Sequence, residues 1–381
     1  NITIHGNTFN SNTVRVELTA VDNAGNVRTT TTAAGQIRID MTNPTIDVSY
    51  SNNVSDSSSY FNADRTATIV ITERNFDPND VVLTITNTDG VIPALSDWRQ
   101  IAGTGNQDDT RWTATITYSA DGDYTFDIGY TDLADRAAGA VNYGSSVAPT
   151  AFTVDKILPT IAVSYNNNAA VNGTYFNRPR TATVVIVEHN FDVNRVTFTS
   201  TAALNGANIE LPVISWADNG DTHTATIVYS ADGDYTFDVT MLDLAGNASG
   251  AANYGASVAA QAFTVDQTYD NGGVPVIGGV EDGHPYSDVV IPTISFQDVN
   301  YSHYEIQLYR TRKDQINVNI TDEKNIRALL SEGEQTLSGE LDIFPRNADG
   351  NFDVTDDGIY SLEITAYDMA GNEHSETVNF T

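Results

Sequence analysis

Hydrophobic and polar residues alternate along most of the chain with a period of two. The alternating segments are rich in β-branched and aromatic residues, which is typical of strands that bury one face. Clear examples are Thr66–Thr72, Val81–Thr86, Trp112–Tyr118 and Tyr124–Ile128. The pattern therefore predicts an all-β protein.

One segment, Asp322–Gly333, has a helical pattern, because Ile326, Leu329 and Leu330 fall on one face. It is the one candidate for a helix. Elsewhere about seven short strands fit into each stretch of roughly 110 residues, without the alternating helices of a parallel sheet. This density of strands predicts immunoglobulin-like two-sheet β-sandwiches.

Two stretches of the chain repeat one another. Phe61–Asp77 shares its pattern with Phe176–Asp192, and Tyr118–Asp127 recurs as Tyr229–Asp238. Each predicted domain begins where an Asp is followed after a short spacer by Pro, which suits the start of an edge strand. The predicted domains are the end of a truncated sandwich at residues 1–43, sister sandwiches at 44–156 and 157–267, and a divergent sandwich at 268–381, arranged end to end.

Two short motifs recur in the second half of the predicted domains. Asp-Gly-x-Tyr opens a strong strand, as in a tyrosine corner, and Asp-x-Ala-Gly-Asn suits the turn that leaves that strand. The motifs occur at Asp121–Tyr124, Asp232–Tyr235 and Asp357–Tyr360, and at Asp22–Asn26, Asp243–Asn247 and Asp368–Asn372, with a degenerate copy at Asp132–Arg136.

With the closing Val-Asp-x-x-x-Pro-Thr pattern, these motifs make the chain resemble the tandem bacterial Ig-like repeat domains of large cell-surface adhesins and cell-wall-associated proteins. The resemblance covers nearly the whole chain. It implies an extracellular location on a bacterial surface. It implies the fold more specifically than the function, because such repeats serve as stalks, adhesive tips and spacers.

Charge narrows the range of partners. Fifty Asp and Glu residues against eighteen Lys and Arg give a net charge of −32. This charge argues against binding nucleic acid or an anionic membrane and favours cations, above all Ca²⁺. No apolar run is long enough for a membrane-spanning helix, so we expect no membrane insertion.

The sequence offers no catalytic constellation. The six His are isolated, Cys is absent, and neither a Gly-x-Ser-x-Gly elbow nor a His-Glu-x-x-His pair occurs. We therefore predict that the chain is not an enzyme and has no catalytic residues.

Acidic residues are predicted to meet where one sandwich follows another. The loop after the second strand, the turn after the sixth strand and the incoming linker should lie at the same end of each sandwich, and each carries oxygen ligands suited to Ca²⁺. The candidate ligands are Asp155, Glu188, Asn190, Asp192 and Asp243 at the preferred junction before Pro159, and Asp40, Glu73, Asp77 and Asp132 at the preceding one. The alternative is that these residues are turn formers that bond their own backbone. A further candidate, Asn347–Asp353, imitates part of an EF-hand loop.

Two matching loops carry tyrosines that are candidates for binding, Tyr143 and Tyr254. The alternative is that they pack against a neighbouring Ig-like domain of the same chain.

The sequence thus predicts a structural or adhesive stalk segment of a secreted bacterial surface protein, which presents or contributes to binding of a host protein or glycan. The alternatives are a non-catalytic Ig-like accessory region of a secreted carbohydrate-active enzyme, or a direct ligand-binding domain.

Overall fold

The computed structural model describes residues 10–33, 35–269, 273–344, 346, 348–350 and 357–381. By contacts the chain divides into two compact units. The first comprises Asn1–Pro159, Asn190–Arg195 and Met241–Ala248, and the second comprises Thr160–His189, Val196–Thr240 and Ser249–Thr381. In both units the regular secondary structure of the described residues is almost entirely β-strand, which confirms the predicted all-β class.

The N-terminal segment forms two separate two-stranded antiparallel pairs. Its strands are β1 (Ser11–Val14), β2 (Glu17–Val21), β3 (Val27–Thr31) and β4 (Ile37–Ile39). Strand β1 pairs with β4, and β2 pairs with β3 around the turn that begins at Asp22. In the β2–β3 hairpin Leu18, Val21 and Val27 are exposed.

The next group of strands builds two four-stranded sheets, ordered β5-β7-β10-β9 and β6-β12-β11-β8. The strands are β5 (Thr45–Tyr50), β6 (Tyr60–Phe61), β7 (Arg65–Thr72), β8 (Val81–Asn87), β9 (Arg99–Ala102), β10 (Arg111–Tyr118), β11 (Gly122–Tyr130) and β12 (Ala151–Val154). Alternate residues of β7 are buried, as the period of two predicts. Their side chains join a core that also contains Tyr118 and Phe126, so the two sheets form a sandwich.

The sister strands repeat this arrangement, in sheets ordered β13-β15-β19-β18 and β14-β21-β20-β16-β17. The strands are β13 (Thr160–Tyr165), β14 (Tyr175–Phe176), β15 (Arg180–Val187), β16 (Val196–Leu204), β17 (Ala207–Asn208), β18 (Ile214–Asn219), β19 (Thr222–Tyr229), β20 (Gly233–Met241) and β21 (Ala262–Val265). Tyr165 of one sheet meets Phe263 of the other edge to face at 5.7 Å between ring centroids, which joins the two layers.

The last group also forms two four-stranded sheets, ordered β22-β23-β27-β26 and β25-β24-β28-β29. The strands are β22 (Val276–Gly278), β23 (Thr293–Gln297), β24 (Tyr301–Arg312), β25 (Gln315–Asn319), β26 (Leu330–Glu332), β27 (Thr336–Glu340), β28 (Ile359–Asp368) and β29 (Glu373–Phe380). Here β28 and β29 form a hairpin directly around the turn Asp368–Asn372.

The candidate helix at Asp322–Gly333 does not form over that range. Only a 3₁₀ turn forms there, at Ile326–Leu329, and it is followed at once by β26. Ile326 is buried in the core, so its apolar character reflects packing rather than helical periodicity. Further 3₁₀ turns lie at Pro78–Asp80 and Val193–Arg195. Among the described residues, no helix combines the length and apolar character needed to cross a membrane.

The tyrosine corners that the sequence predicts are present in both sister groups. Tyr124 donates its hydroxyl hydrogen to the carbonyl of Ala120 at 2.8 Å, and Tyr235 donates to Ala231 at 2.9 Å. The glycine two positions before each tyrosine has a positive φ, 134° at Gly122 and 157° at Gly233, which a residue with a β-carbon rarely adopts.

Candidate metal centre

The turn after β11 is built around the carboxylate of Asp132. Its Oδ1 accepts the main-chain N–H groups of Ala134 and Arg136, both at 2.8 Å. Asp135 has a φ of 60°, at the place where the matching turns have glycine, and aspartate is one of the residues that tolerate this region. The degenerate sequence therefore keeps the geometry of the turn.

Three carboxylates converge at this turn. Asp40 arrives from the linker after β4, Glu73 follows β7, and Asp132 follows β11. One oxygen from each lies within 4.8 Å of the others. Glu73 and Asp132 are buried, at 3% and 4% exposure, and Asp40 is half-buried. We call these three residues the first acidic corner.

The first acidic corner is electrostatically unfavourable without a counter-charge. The pKa of Glu73 is raised to about 7, chiefly by burial; the hydrogen bond from the Asn75 main-chain N–H lowers it, and the charges of Asp40 and Asp132 add to the rise. Oδ2 of Asp132 is buried and has no hydrogen-bond partner among the described residues. Such an orphaned carboxylate oxygen costs free energy unless something neutralises it.

Two of the matching carboxylates of the sister sandwich accept hydrogen bonds from asparagine amides. Within the first unit, Asn190 donates to Oδ2 of Asp155 at 2.6 Å, and Asn247 donates to Oδ2 of Asp243 at 2.7 Å. Asn247 also donates to the Asp155 carbonyl at 2.9 Å. Burial raises the pKa of Asp155, and the charge of Asp243 contributes to the rise, but both carboxylates have side-chain donors.

The last sandwich repeats the amide arrangement inside the second unit. Asn300 donates to Oδ2 of Asp266 at 3.0 Å, and Asn372 donates to Oδ2 of Asp368 at 2.8 Å. Asn372 also reaches the carbonyl of Asp266 at 2.9 Å. Burial raises the pKa of Asp368, while the two hydrogen bonds from Asn372 lower it.

The first acidic corner has no amide donors, because the residues at the two equivalent positions bond to other groups. Arg136 stands where the other turns have Asn, and it donates Nε to the Asp40 carbonyl at 3.1 Å and Nη1 to Asn43 at 3.1 Å. Asn75 stands where Asn190 and Asn300 do, but it exchanges hydrogen bonds with Asn12, at 2.7 and 3.2 Å.

Other predicted ligands lie in ordinary turns. Asp77 caps the 3₁₀ turn at Pro78–Asp80 by accepting from the Asn79 N–H at 2.9 Å, and Asp192 accepts from Asn194 at the same distance. Neither belongs to a group of converging carboxylates among the described residues. For these two residues the structure favours the turn-forming alternative. Glu188 is buried in the second unit, where its main-chain N–H donates to Asp221. The candidate loop at Asn347–Asp353 lies largely outside the described residues.

The loop tyrosines pack onto their own sandwich. Tyr143 meets Phe126 edge to face at 6.4 Å, and Tyr254 meets Phe237 in the same way. Tyr254 also donates its hydroxyl hydrogen to Asp238 at 2.9 Å. Just before each tyrosine, an Asn forms a parallel bridge to the first strand, to Asp47 and Ala162 respectively. These bridges join each loop by main-chain pairing to the first strand of its own sandwich.

Comparison with known proteins adds little. No known protein family matches the chain, and no curated protein matches it. Among solved structures, it is similar to the Escherichia coli adhesin FdeC, with 14% identity over 89% of this chain and 96% of that one. The TM-score is 0.26, so neither fold nor function is argued from this match.

Proposed function

We propose that this chain is a load-bearing structural segment of an extracellular bacterial surface protein, which presents a binding region to a host protein or glycan. The resemblance of its repeated motifs to bacterial Ig-like repeat domains supports the location. A short parallel strand pair that occurs in both sister sandwiches supports the mechanical role.

This parallel pair joins an early strand to the last strand of each sandwich. Strand β6 pairs in parallel with β12, and β14 pairs in the same way with β21. The N–H of Thr153 donates to the Ser59 carbonyl at 2.8 Å, and the N–H of Asp155 donates to Phe61 at 2.9 Å. The sister pair has the equivalent bonds, at 3.0 and 2.9 Å.

Parallel pairing matters when the two ends of a chain are pulled. The force reaches β6 from its N-terminal side and β12 from its C-terminal side, so the two strands are drawn past one another along their length. Because the hydrogen bonds lie across that direction, they are loaded together rather than opened one at a time. A segment that transmits tension between a cell and a surface requires this resistance.

Single-molecule force spectroscopy on the full chain tests this proposal. We expect two unfolding events of nearly equal size from the sister sandwiches, each with an extended chain length of roughly 370–410 Å before the folded length is subtracted. Thr153→Pro removes one donor of the parallel pair, so it should lower the unfolding force of one event and leave the other unchanged.

Thr153→Val is the matched control. It removes the hydroxyl that donates to Asp123 at 2.6 Å but keeps the main-chain donor, so its effect on the unfolding force should be much smaller. Equal unfolding forces for wild type and Thr153→Pro would contradict the mechanical role.

A further inference from the structure

A cavity of about 270 Å³ lies in the last sandwich, beside the start of β28 and the end of β29. We propose that this cavity binds the arginine side chain of a partner protein. The inference deepens the proposed function, because it gives the segment a binding site of its own and names the chemical group that the site accepts. It rests on that function only for the source of the ligand.

One wall of the cavity is a set of three aromatic rings. Tyr360 and Phe380 are cross-strand neighbours whose rings stack at 5.5 Å between centroids, and Phe344 meets Tyr360 edge to face at 5.0 Å. We call these three rings, all of which line the cavity, the ring site. The sister sandwiches have the same arrangement, at 5.6 and 4.9 Å in both, formed by Tyr124, Phe152 and Tyr118 and by Tyr235, Phe263 and Tyr229.

In both sister sandwiches a buried arginine occupies this place. The guanidinium carbon of Arg65 lies 4.5 Å from the centroid of Phe152, and that of Arg180 lies 4.6 Å from the centroid of Phe263. In the last sandwich no Arg or Lys is among the described residues that line the cavity. The cavity therefore lies against rings whose counterparts hold a guanidinium.

A difference in connection between strands leaves this place open in the last sandwich. Residues 131–150 join β11 to β12, and the carbonyls of Val147 and Ala148 in that loop accept hydrogen bonds from Arg65. Strands β28 and β29 are instead joined by the short turn Asp368–Asn372, which supplies no such loop. The ring site of the last sandwich is thus open to a group from outside the chain.

The charges at the mouth of the cavity favour a cation. Asp288 and Asp357 line the cavity and are exposed. A guanidinium is always charged, so it needs counter-charges or acceptors when it leaves water. Arginine suits the cavity better than lysine, because its planar group stacks on aromatic rings and its donors fit carboxylates. The net charge of −32 attracts a basic partner over a longer range.

The experiment is an NMR titration of the full chain with the blocked peptide acetyl-Gly-Arg-Gly-amide in about 0.15 M NaCl. The amide signal of Gly358, which lines the cavity, should shift. That of Gly122, at the same motif position of the sandwich that contains Arg65, should not. The matched peptide with citrulline in place of arginine has nearly the same shape without the charge, so it should bind at least about tenfold more weakly.

Variants at the mouth give a second readout. Asp288→Asn combined with Asp357→Asn should weaken binding of the arginine peptide about threefold to tenfold, because it removes both counter-charges. Asp322→Asn is the matched control, since Asp322 is an exposed carboxylate of the same sandwich that does not line the cavity. It should leave the affinity unchanged within error, and an equal loss in both variants would place binding elsewhere and overturn the proposal.

Free arginine distinguishes a protein side chain from a small molecule. Its α-carboxylate would lie near Asp288 and Asp357, so we expect weaker binding than for the blocked peptide. Free arginine that binds as tightly as the peptide, or more tightly, would overturn the assignment to a partner protein. Equal binding of the arginine and citrulline peptides, or no shift at Gly358, would overturn the binding site itself. Neither result bears on the mechanical role, which the unfolding force of Thr153→Pro tests separately.

Discussion

At the scale of the residue, a buried arginine holds the closing loop of each sister sandwich. Arg65 is 0% exposed and donates Nε to Asn52 and Nη1 to Ala148, both at 3.0 Å, and Nη2 to Val147. Its guanidinium lies 3.9 Å from the centroid of the Tyr50 ring and 4.1 Å from that of Phe61. Arg180 repeats these contacts.

Arg65→Lys should therefore destabilise the first sister sandwich although it keeps the charge. Burial already lowers the pKa of Arg65 to about 10. A lysine cannot make the planar fork of hydrogen bonds or stack on the rings, so we expect a loss of about 2–4 kcal/mol in the free energy of unfolding. Urea unfolding measures this loss. Arg99→Lys, on an exposed strand position, is the control, and an equal effect of both changes would contradict this role.

At the scale of the element, the Asp-x-x-x-Asn turn contributes more to the free energy of unfolding when it is buried than when it is exposed. Asn247→Ala removes the donors to Asp243 and to the Asp155 carbonyl, which leaves buried oxygens unsatisfied. We expect a loss of about 1–3 kcal/mol in the free energy of unfolding. Asn26→Ala removes the same bond to Asp22, at 2.8 Å, in an exposed turn, and its effect should be much smaller. Comparable melting temperatures for the two variants would refute this difference.

The sequence predicted the strands, the turns and the loops that meet at the first acidic corner, because each depends on local periodicity or turn chemistry. The sequence pattern could not show which carboxylates accept hydrogen bonds from amide side chains. That depends on where Arg136 and Asn75 donate, and the partner of Asn75, Asn12, is 63 positions away. Arg65 was missed for the same reason, since an arginine that opens an alternating strand gives no local sign of burial among aromatic rings.

At the scale of the whole molecule, fifty acids against eighteen bases make self-repulsion a general cost of folding. Raising NaCl from about 0.01 M to about 0.1 M shortens the screening length from about 30 Å to about 10 Å. We therefore expect the melting temperature to rise over this range in the presence of chelator, with NaCl and KCl alike. Calorimetry at several salt concentrations measures it, and a flat or falling dependence would contradict a net repulsive charge distribution.

The likeness of the sister sandwiches also affects how the chain reaches its native state. Strands β7 and β15 both begin Arg-Thr-Ala-Thr, and each pairs with a strand that ends in Tyr, through Arg65 with Tyr118 and Arg180 with Tyr229. A fully unfolded chain thus contains two interchangeable partners for each of these strands, and exchange between them yields misassembled species. Folding of the chain from its N-terminus avoids this exchange, because β7 and β10 can then pair before their copies are available.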